Sequence, residues 1–293
     1  MVNIPQEVTL RRTFLLTAAA AAASALTGCS PLGIVNALVP RRSFDRTTSI
    51  AYGSHDRAFL DVYRPIDRAR NAPIVVFFYG GNWKAGHRDD YLFVGEALAS
   101  LGIVTVIPDY RLYPEVRFPD FLDDCAQAVR WTSDHAGENG GDPKRLFLMG
   151  HSAGAYNAAM LALNRRYLER AGVPPDRIAG LIGLAGPYDF LPLHDDVLKA
   201  VFGFPDTPRT TQPIEFASAS SPPTLLVTGD DDRVVNPGNS ARLGERLRAT
   251  GIPVRTVIHP GVGHAALLGA LAAPLRRIAP VLEDVRTFVA NPT

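Results

Sequence analysis

Residues 150–154 read Gly-His-Ser-Ala-Gly, after the apolar run 146–149 and before an alanine-rich stretch. A serine between a strand and a helix occupies a sharp turn, and glycines two residues to either side let neighbouring backbones approach. The helix N-terminus then directs N–H groups at the space before Ser152, where a negatively charged oxygen would develop. A serine hydroxyl attacks poorly unless a base removes its proton. Of the seven histidines, His264 is the preferred base. It lies in Gly261-Val262-Gly263-His264, a glycine-rich loop able to carry an imidazole over the edge of a sheet. His259, closing the preceding strand, is the alternative. His151 adjoins Ser152, but the turn should send the two side chains in different directions. His55, His87, His135 and His194 fall in loops or at helix ends and read as surface residues.

An imidazole base needs a third group to hold its tautomer and stabilise its charged form. Asp189 and the run Asp230-Asp231-Asp232 are the candidates. Adjacent carboxylates repel, so at most one of the three is easily buried. A calcium loop of the D-x-D-x-D-G kind needs an oxygen ligand at 234 and glycine at 235, and both are valine. The loop Phe77-Phe78-Tyr79-Gly80-Gly81-Asn82-Trp83 supplies paired glycines and an asparagine that tolerates positive φ. The backbone amides of Gly81, Asn82 and Ala153 are therefore the expected oxyanion donors. Trp83 and Tyr156 are expected to contact substrate, although each also reads as packing.

These groups must be positioned by a sheet. Apolar runs at 74–78, 103–107, 146–149, 178–184, 225–227 and 254–258 read as strands. Helical spacing falls between and after them, at 91–101, 118–135, 153–171, 239–250 and 278–289. The alternation predicts an α/β fold, a doubly wound, mostly parallel sheet with flanking helices. Residues 189–222, rich in proline, serine and threonine, break the rhythm and read as a small lid. Trp131 and Cys125 read as buried helix residues, and Asp109-Tyr110-Arg111 as a tie between loop and sheet.

With 30 basic and 29 acidic residues, the chain has no long basic run, which argues against nucleic-acid binding. Residues 1–28 read as a signal peptide, with Arg11-Arg12 before an apolar alanine-rich run too short to span a membrane. The arginine pair resembles a twin-arginine export signal, and Leu26-Thr27-Gly28-Cys29 resembles a bacterial lipobox. Cys29 is then the lipidated residue, the membrane a partner, and the location the cell envelope. Removing 1–28 leaves equal numbers of basic and acidic residues. Residues 29–46 read as a tether and 47–293 as the catalytic domain. With Cys29 lipidated, Cys125 has no intramolecular disulfide partner.

Together these motifs resemble the esterase/lipase branch of the α/β-hydrolase superfamily, from about Ser54 to Val289. They are Tyr-Gly-Gly-Asn-Trp at 79–83, Asp109-Tyr110-Arg111-Leu112, Phe118-Pro119 with Asp123 or Asp124, Gly141-Asp142-Pro143, the pentapeptide at 150–154, and G-x-x-D-x-x-V at 229–235. The likeness is to hormone-sensitive-lipase-like, feruloyl-esterase-like and kynurenine-formamidase-like enzymes. Tyr79 stands where that family usually has histidine, while Trp83 favours the formamidase-like branch. The 229–235 register selects Asp232, with Asp189 in reserve, and gives the chain order Ser152, Asp232, His264. The resemblance implies hydrolysis of small-to-medium carboxylic esters through an acyl-enzyme, with no cofactor and no metal. Arylformamide cleavage, acyl transfer, a metal-dependent hydrolase and a non-catalytic binding module are the rival readings.

Overall fold

Every expected apolar run lies in one eight-stranded sheet of the computed structural model, which describes residues 31–67 and 71–292. The strands are β1 (Phe44–Ala51), β2 (Phe59–Pro65), β3 (Ala72–Phe78), β4 (Val104–Pro108), β5 (Gly141–His151), β6 (Ile178–Leu184), β7 (Thr224–Gly229) and β8 (Val254–His259). Their order is β1-β2-β4-β3-β5-β6-β7-β8. β2 pairs antiparallel with β1 and β4, and every other pairing is parallel. Parallel strands covered on both faces need continuous apolar sequence, and β4 and β7 are buried at every residue. At the edge, β8 is half-buried at Val254, Thr256 and Val257, exposed at Arg255 and Ile258, and buried only at His259.

Register brings the chemistry to the carboxyl ends of the strands, where open α/β sheets place their ligand sites. Phe78 lies opposite Gly150, and His151 opposite Leu184. Gly229 lies opposite His259. The loops after β3, β5, β6, β7 and β8 therefore leave one rim.

Helix Ala153–Leu163 is buried at every residue, and its small side chains let it lie close against β5 and β6. The helix expected over 153–171 breaks at Asn164, whose ψ of 88° is not helical, and resumes as Arg166–Arg170. The other expected helices appear as Leu92–Ala99, Asp120–Asp134, Gly238–Arg248 and Val281–Ala290. A short helix at His264–Gly269 was not expected, because six residues are too few to show a period.

The expected tether, 29–46, is not free chain where it is described. Pro31–Ala37 is helical, Val39 and Phe44 are buried, and β1 starts at Phe44. Asn36 docks that helix. Its side-chain amide donates to the carbonyls of Asp89 and Asp90 at 3.1 and 3.0 Å, and its carbonyl accepts from Phe93 N–H at 3.2 Å. The expected signal peptide and Cys29 lie outside the described residues, among which no helix is long and apolar enough to cross a membrane.

The segment expected to be a lid contains helix Asp196–Phe202 and two short 3-10 turns. It is tied down at its base: Asn239 accepts from the amides of Tyr188 and Asp189, and Gln212 accepts from that of Phe190. Phe202 packs on Trp83, Tyr156 and Phe190 with ring centroids 4.9–5.4 Å apart.

Candidate active site

Ser152 follows β5 with φ 56° and ψ −125°. A non-glycine residue held there costs about 1–3 kcal/mol, so its surroundings must enforce it. The Ser152 amide donates to the Leu184 carbonyl at 2.9 Å, fastening the turn to β6. Helix Ala153–Leu163 approaches β3 so closely that a Cβ on Gly154 would overlap the carbonyl oxygen of Phe78. The glycine of the pentapeptide is thus required by backbone contact, as its spacing implied.

The run of three aspartates is divided by its hydrogen bonds. Asp232 has a fully buried side chain. Its Oδ2 accepts from His264 Nδ1–H at 2.7 Å, and its Oδ1 accepts from the amides of Val234 and Val235, both at 2.9 Å. This fixes the His264 proton on Nδ1 and leaves Nε2 with its lone pair. Asp230 is exposed, yet its carboxylate accepts from Gly261 N–H at 2.6 Å and so anchors the loop that carries His264. Asp231 is exposed and pairs with Arg233 at 3.0 Å. Asp189, the reserve acid, is instead ion-paired with Arg242 at 2.7 Å. His259 binds buried Asp284 at 2.9 Å, beside Arg255.

Gly81, Asn82 and Trp83 all have positive φ, at 122°, 53° and 55°. A Cβ on Gly81 would overlap the Ala85 carbonyl. Tyr79, in the position where the resembled family usually has histidine, holds the root of this loop. Its hydroxyl donates to Asp109 Oδ1 at 2.7 Å and accepts from Arg57 at 2.8 Å. Burial raises the Tyr79 phenol well above its ordinary value, so it remains a donor. Arg57 also reaches the carbonyls of Gly86 and Tyr110 at 2.8 Å, and the Tyr110 hydroxyl donates to the Tyr79 carbonyl at 2.8 Å. Asp109 further accepts from the Arg88 amide and guanidinium, while Arg88 and Arg46 share Asp61. The expected tie at 109–111 is therefore present, completed by an Arg111–Asp124 pair at 2.6 Å.

His151 lines a cavity together with Ser152, and it has a role that sequence does not reveal. Its Nε2–H donates to the His264 carbonyl at 3.1 Å, with ring centroids 4.6 Å apart. Burial, reinforced by His264, lowers its pKa to about 3. A neutral imidazole thus braces the backbone of the neighbouring histidine. His55 was expected at the surface but is mostly buried, 3.5 Å from Asp124. His194, exposed as expected, borders a cavity at Ser152.

That cavity is also lined by Trp83. Only 1% exposed, Trp83 donates from its indole N–H to Asn157 at 2.9 Å. It serves as both packing and wall. Tyr156 must be corrected: it is fully buried, and its hydroxyl donates to the Thr211 carbonyl at 2.7 Å. Four residues into the helix, it faces the 189–222 segment and pins it. Cys125 is buried with its thiol pushed well above the ordinary value by burial, which makes it inert.

Strand order, strained serine and the Asp232–His264 pair define an α/β-hydrolase. More narrowly, the chain belongs to the BD-FAE family, whose model matches residues 60–247. It is 30% identical over 258 residues to the carboxylesterase NlhH of Mycobacterium tuberculosis, covering 81% of this chain and 79% of that one. It is also 30% identical over 249 residues to an isoprenylcysteine alpha-carbonyl methylesterase of Arabidopsis thaliana, covering 78% of this chain and 58% of that one. The chain spans 55–62% of the length of several such plant proteins. Among solved structures, a truncated carbohydrate esterase from gut microbiota superposes with TM-score 0.77 at 19% identity, covering 87% of this chain and 98% of that one. An esterase of Pyrobaculum calidifontis gives 0.70 at 22%, covering 88% of each. At those identities the likeness is one of fold.

Proposed function

We propose that this chain is a serine carboxylesterase with Ser152, His264 and Asp232 as its triad. The observation that carries the reading is the Asp232–His264 hydrogen bond of 2.7 Å, set beside a serine held in a strained turn on a shared cavity. The names of relatives, a carboxylesterase and methylesterases, support the same class. Ser152 Oγ attacks the ester carbonyl while its proton passes to His264 Nε2. The amides of Gly81, Asn82 and Ala153 receive the oxyanion; the last is among the helix-terminal donors that have no intrahelical partner. The carbon–oxygen bond breaks, the departing alkoxide takes the proton from His264, and the acyl group stays on Ser152. His264 then deprotonates a water that attacks the acyl carbon, and the acid is released as Ser152 regains its proton.

Hydrolysis of p-nitrophenyl butyrate tests the reading. Ser152→Ala is expected to reduce kcat by at least a thousandfold, whereas retention of a tenth of the activity contradicts it. From the sequence we further propose export and lipidation at Cys29, which would fix the enzyme to an envelope membrane. Release of the Cys29→Ala protein from the membrane fraction is the expected result, and unchanged fractionation counts against the anchor.

A further inference from the structure

Two cavities open on Ser152, and they differ in which catalytic group borders them. The larger, about 570 Å³, has Gly81, Ser152 and His264 on its wall. The smaller, about 360 Å³, has Ser152, Ala153 and Trp83, while His264 does not line it. Asn82 and Val234 border both, and Val234, 67% exposed, stands at the divide.

Their outer walls differ in chemistry as well. The larger cavity is closed by Leu32, Val35, Phe93, Ala266, Leu268 and Leu275. Leu32 and Val35 belong to helix Pro31–Ala37, and both pack against the core. The three hydrogen bonds of Asn36 make that helix a fixed wall. The smaller cavity mixes Asn236, His194 and the Asp189–Arg242 ion pair with apolar Phe190, Leu191 and Leu198.

The direction of proton transfer decides which half of an ester enters which cavity. The departing oxygen takes its proton from the imidazolium, so its substituent leaves on the imidazole side of the serine. The acyl carbon remains bonded to Ser152, with its substituent on the opposite side. Because His264 Nδ1 is engaged by Asp232, Nε2 is the nitrogen that delivers the proton. We propose that the cavity between His264 and helix Pro31–Ala37 receives the alcohol half of the substrate and that this half is a large apolar group. A short acyl group occupies the smaller cavity, whose lining mixes polar and apolar side chains. The assignment rests on the serine-esterase reading and adds to it a substrate class: short-chain acyl esters of bulky apolar alcohols.

Octyl acetate and methyl nonanoate are isomers, equal in carbon count, that place the long chain on opposite sides of the ester. Their hydrolysis by the full chain is followed by titrating released acid below their solubility limits. Each buried methylene corresponds to about a fourfold gain in binding. A kcat/KM at least tenfold higher for octyl acetate is expected, and equal or higher turnover of methyl nonanoate overturns the assignment. Val35→Trp should fill the larger cavity and lower the ratio of octyl acetate to methyl nonanoate kcat/KM at least tenfold relative to the parent. Leu32→Trp provides the same test from the neighbouring turn. Loss confined to methyl nonanoate in these variants also overturns the proposal. If even ethyl acetate is untouched by the parent chain and Ser152 takes no fluorophosphonate, the esterase reading falls, and this assignment with it.

Discussion

Replacing Asp232 with asparagine changes one atom and should nearly stop the reaction. The two Val amides that bind Oδ1 at 2.9 Å can still be accepted by the Asn carbonyl, so the turn keeps its shape. The Asn NH2 group then faces His264 Nδ1, where a carboxylate accepted a hydrogen bond at 2.7 Å. To avoid two donors meeting, His264 must place its proton on Nε2, the nitrogen that has to receive the Ser152 proton. Enforcing the wrong tautomer in a Ser-His-Asp triad costs about 10⁴ in kcat, or about 5.4 kcal/mol of barrier. Asp230→Asn keeps an oxygen for the Gly261 amide, and Asp231→Asn removes only an exposed pair with Arg233. Both should stay within threefold of the parent, since exposed pairs contribute about 0–1 kcal/mol. The assay is steady-state hydrolysis of p-nitrophenyl acetate, with circular dichroism to show that each variant is folded. An Asp232→Asn enzyme within tenfold of the parent, or an Asp189→Asn enzyme equally impaired, would refute the reasoning.

Three further outcomes are expected. Gly81→Ala drives a Cβ into the Ala85 carbonyl and displaces the neighbouring donors, so kcat should fall about a hundredfold with less change in KM; unchanged kcat in steady-state kinetics removes this loop from the oxyanion site. Tyr79→Phe strips a hydrogen bond from buried Asp109 and from Arg57, and should cost about 1–3 kcal/mol in urea denaturation; an unshifted midpoint counts against the network. For His151 the folded pKa, about 3, lies below the ordinary value of 6.5. Below pH 6.5 the unfolded chain therefore binds the extra proton and stability falls with pH. Between pH 7 and 5 this amounts to about 2 kcal/mol, so His151→Gln should lose that much less stability than the parent over the same interval, and parallel losses contradict it.

What was legible in the sequence was what short-range geometry dictates. The Ser152 turn shows because a glycine must pass a β3 carbonyl within the same pentapeptide. Among the three carboxylates, Asp232 is singled out by the resemblance of Gly229 to Val235 to the G-x-x-D-x-x-V motif, and not by spacing alone. The bracing of the oxyanion loop was less legible. Tyr79, Arg57 and Asp109 are far apart in the chain and meet only because β4 lies between β2 and β3. Tyr156 was misjudged because spacing from the serine does not say which side of a helix faces the cleft when all sides are buried. The helix at Pro31–Ala37 is not legible as an element because none of its seven residues is fully buried and its partners lie more than fifty residues away.

The central claim is that Ser152 is the nucleophile and His264 its base. Incubating the protein with a fluorophosphonate and mapping the adduct by peptide mass spectrometry tests this most directly. The account predicts one stoichiometric adduct on Ser152, formed at least a thousandfold more slowly in His264→Ala and at the parent rate in Asp189→Asn. An adduct on another residue, or ester hydrolysis that persists with Ser152 unmodified, would contradict it.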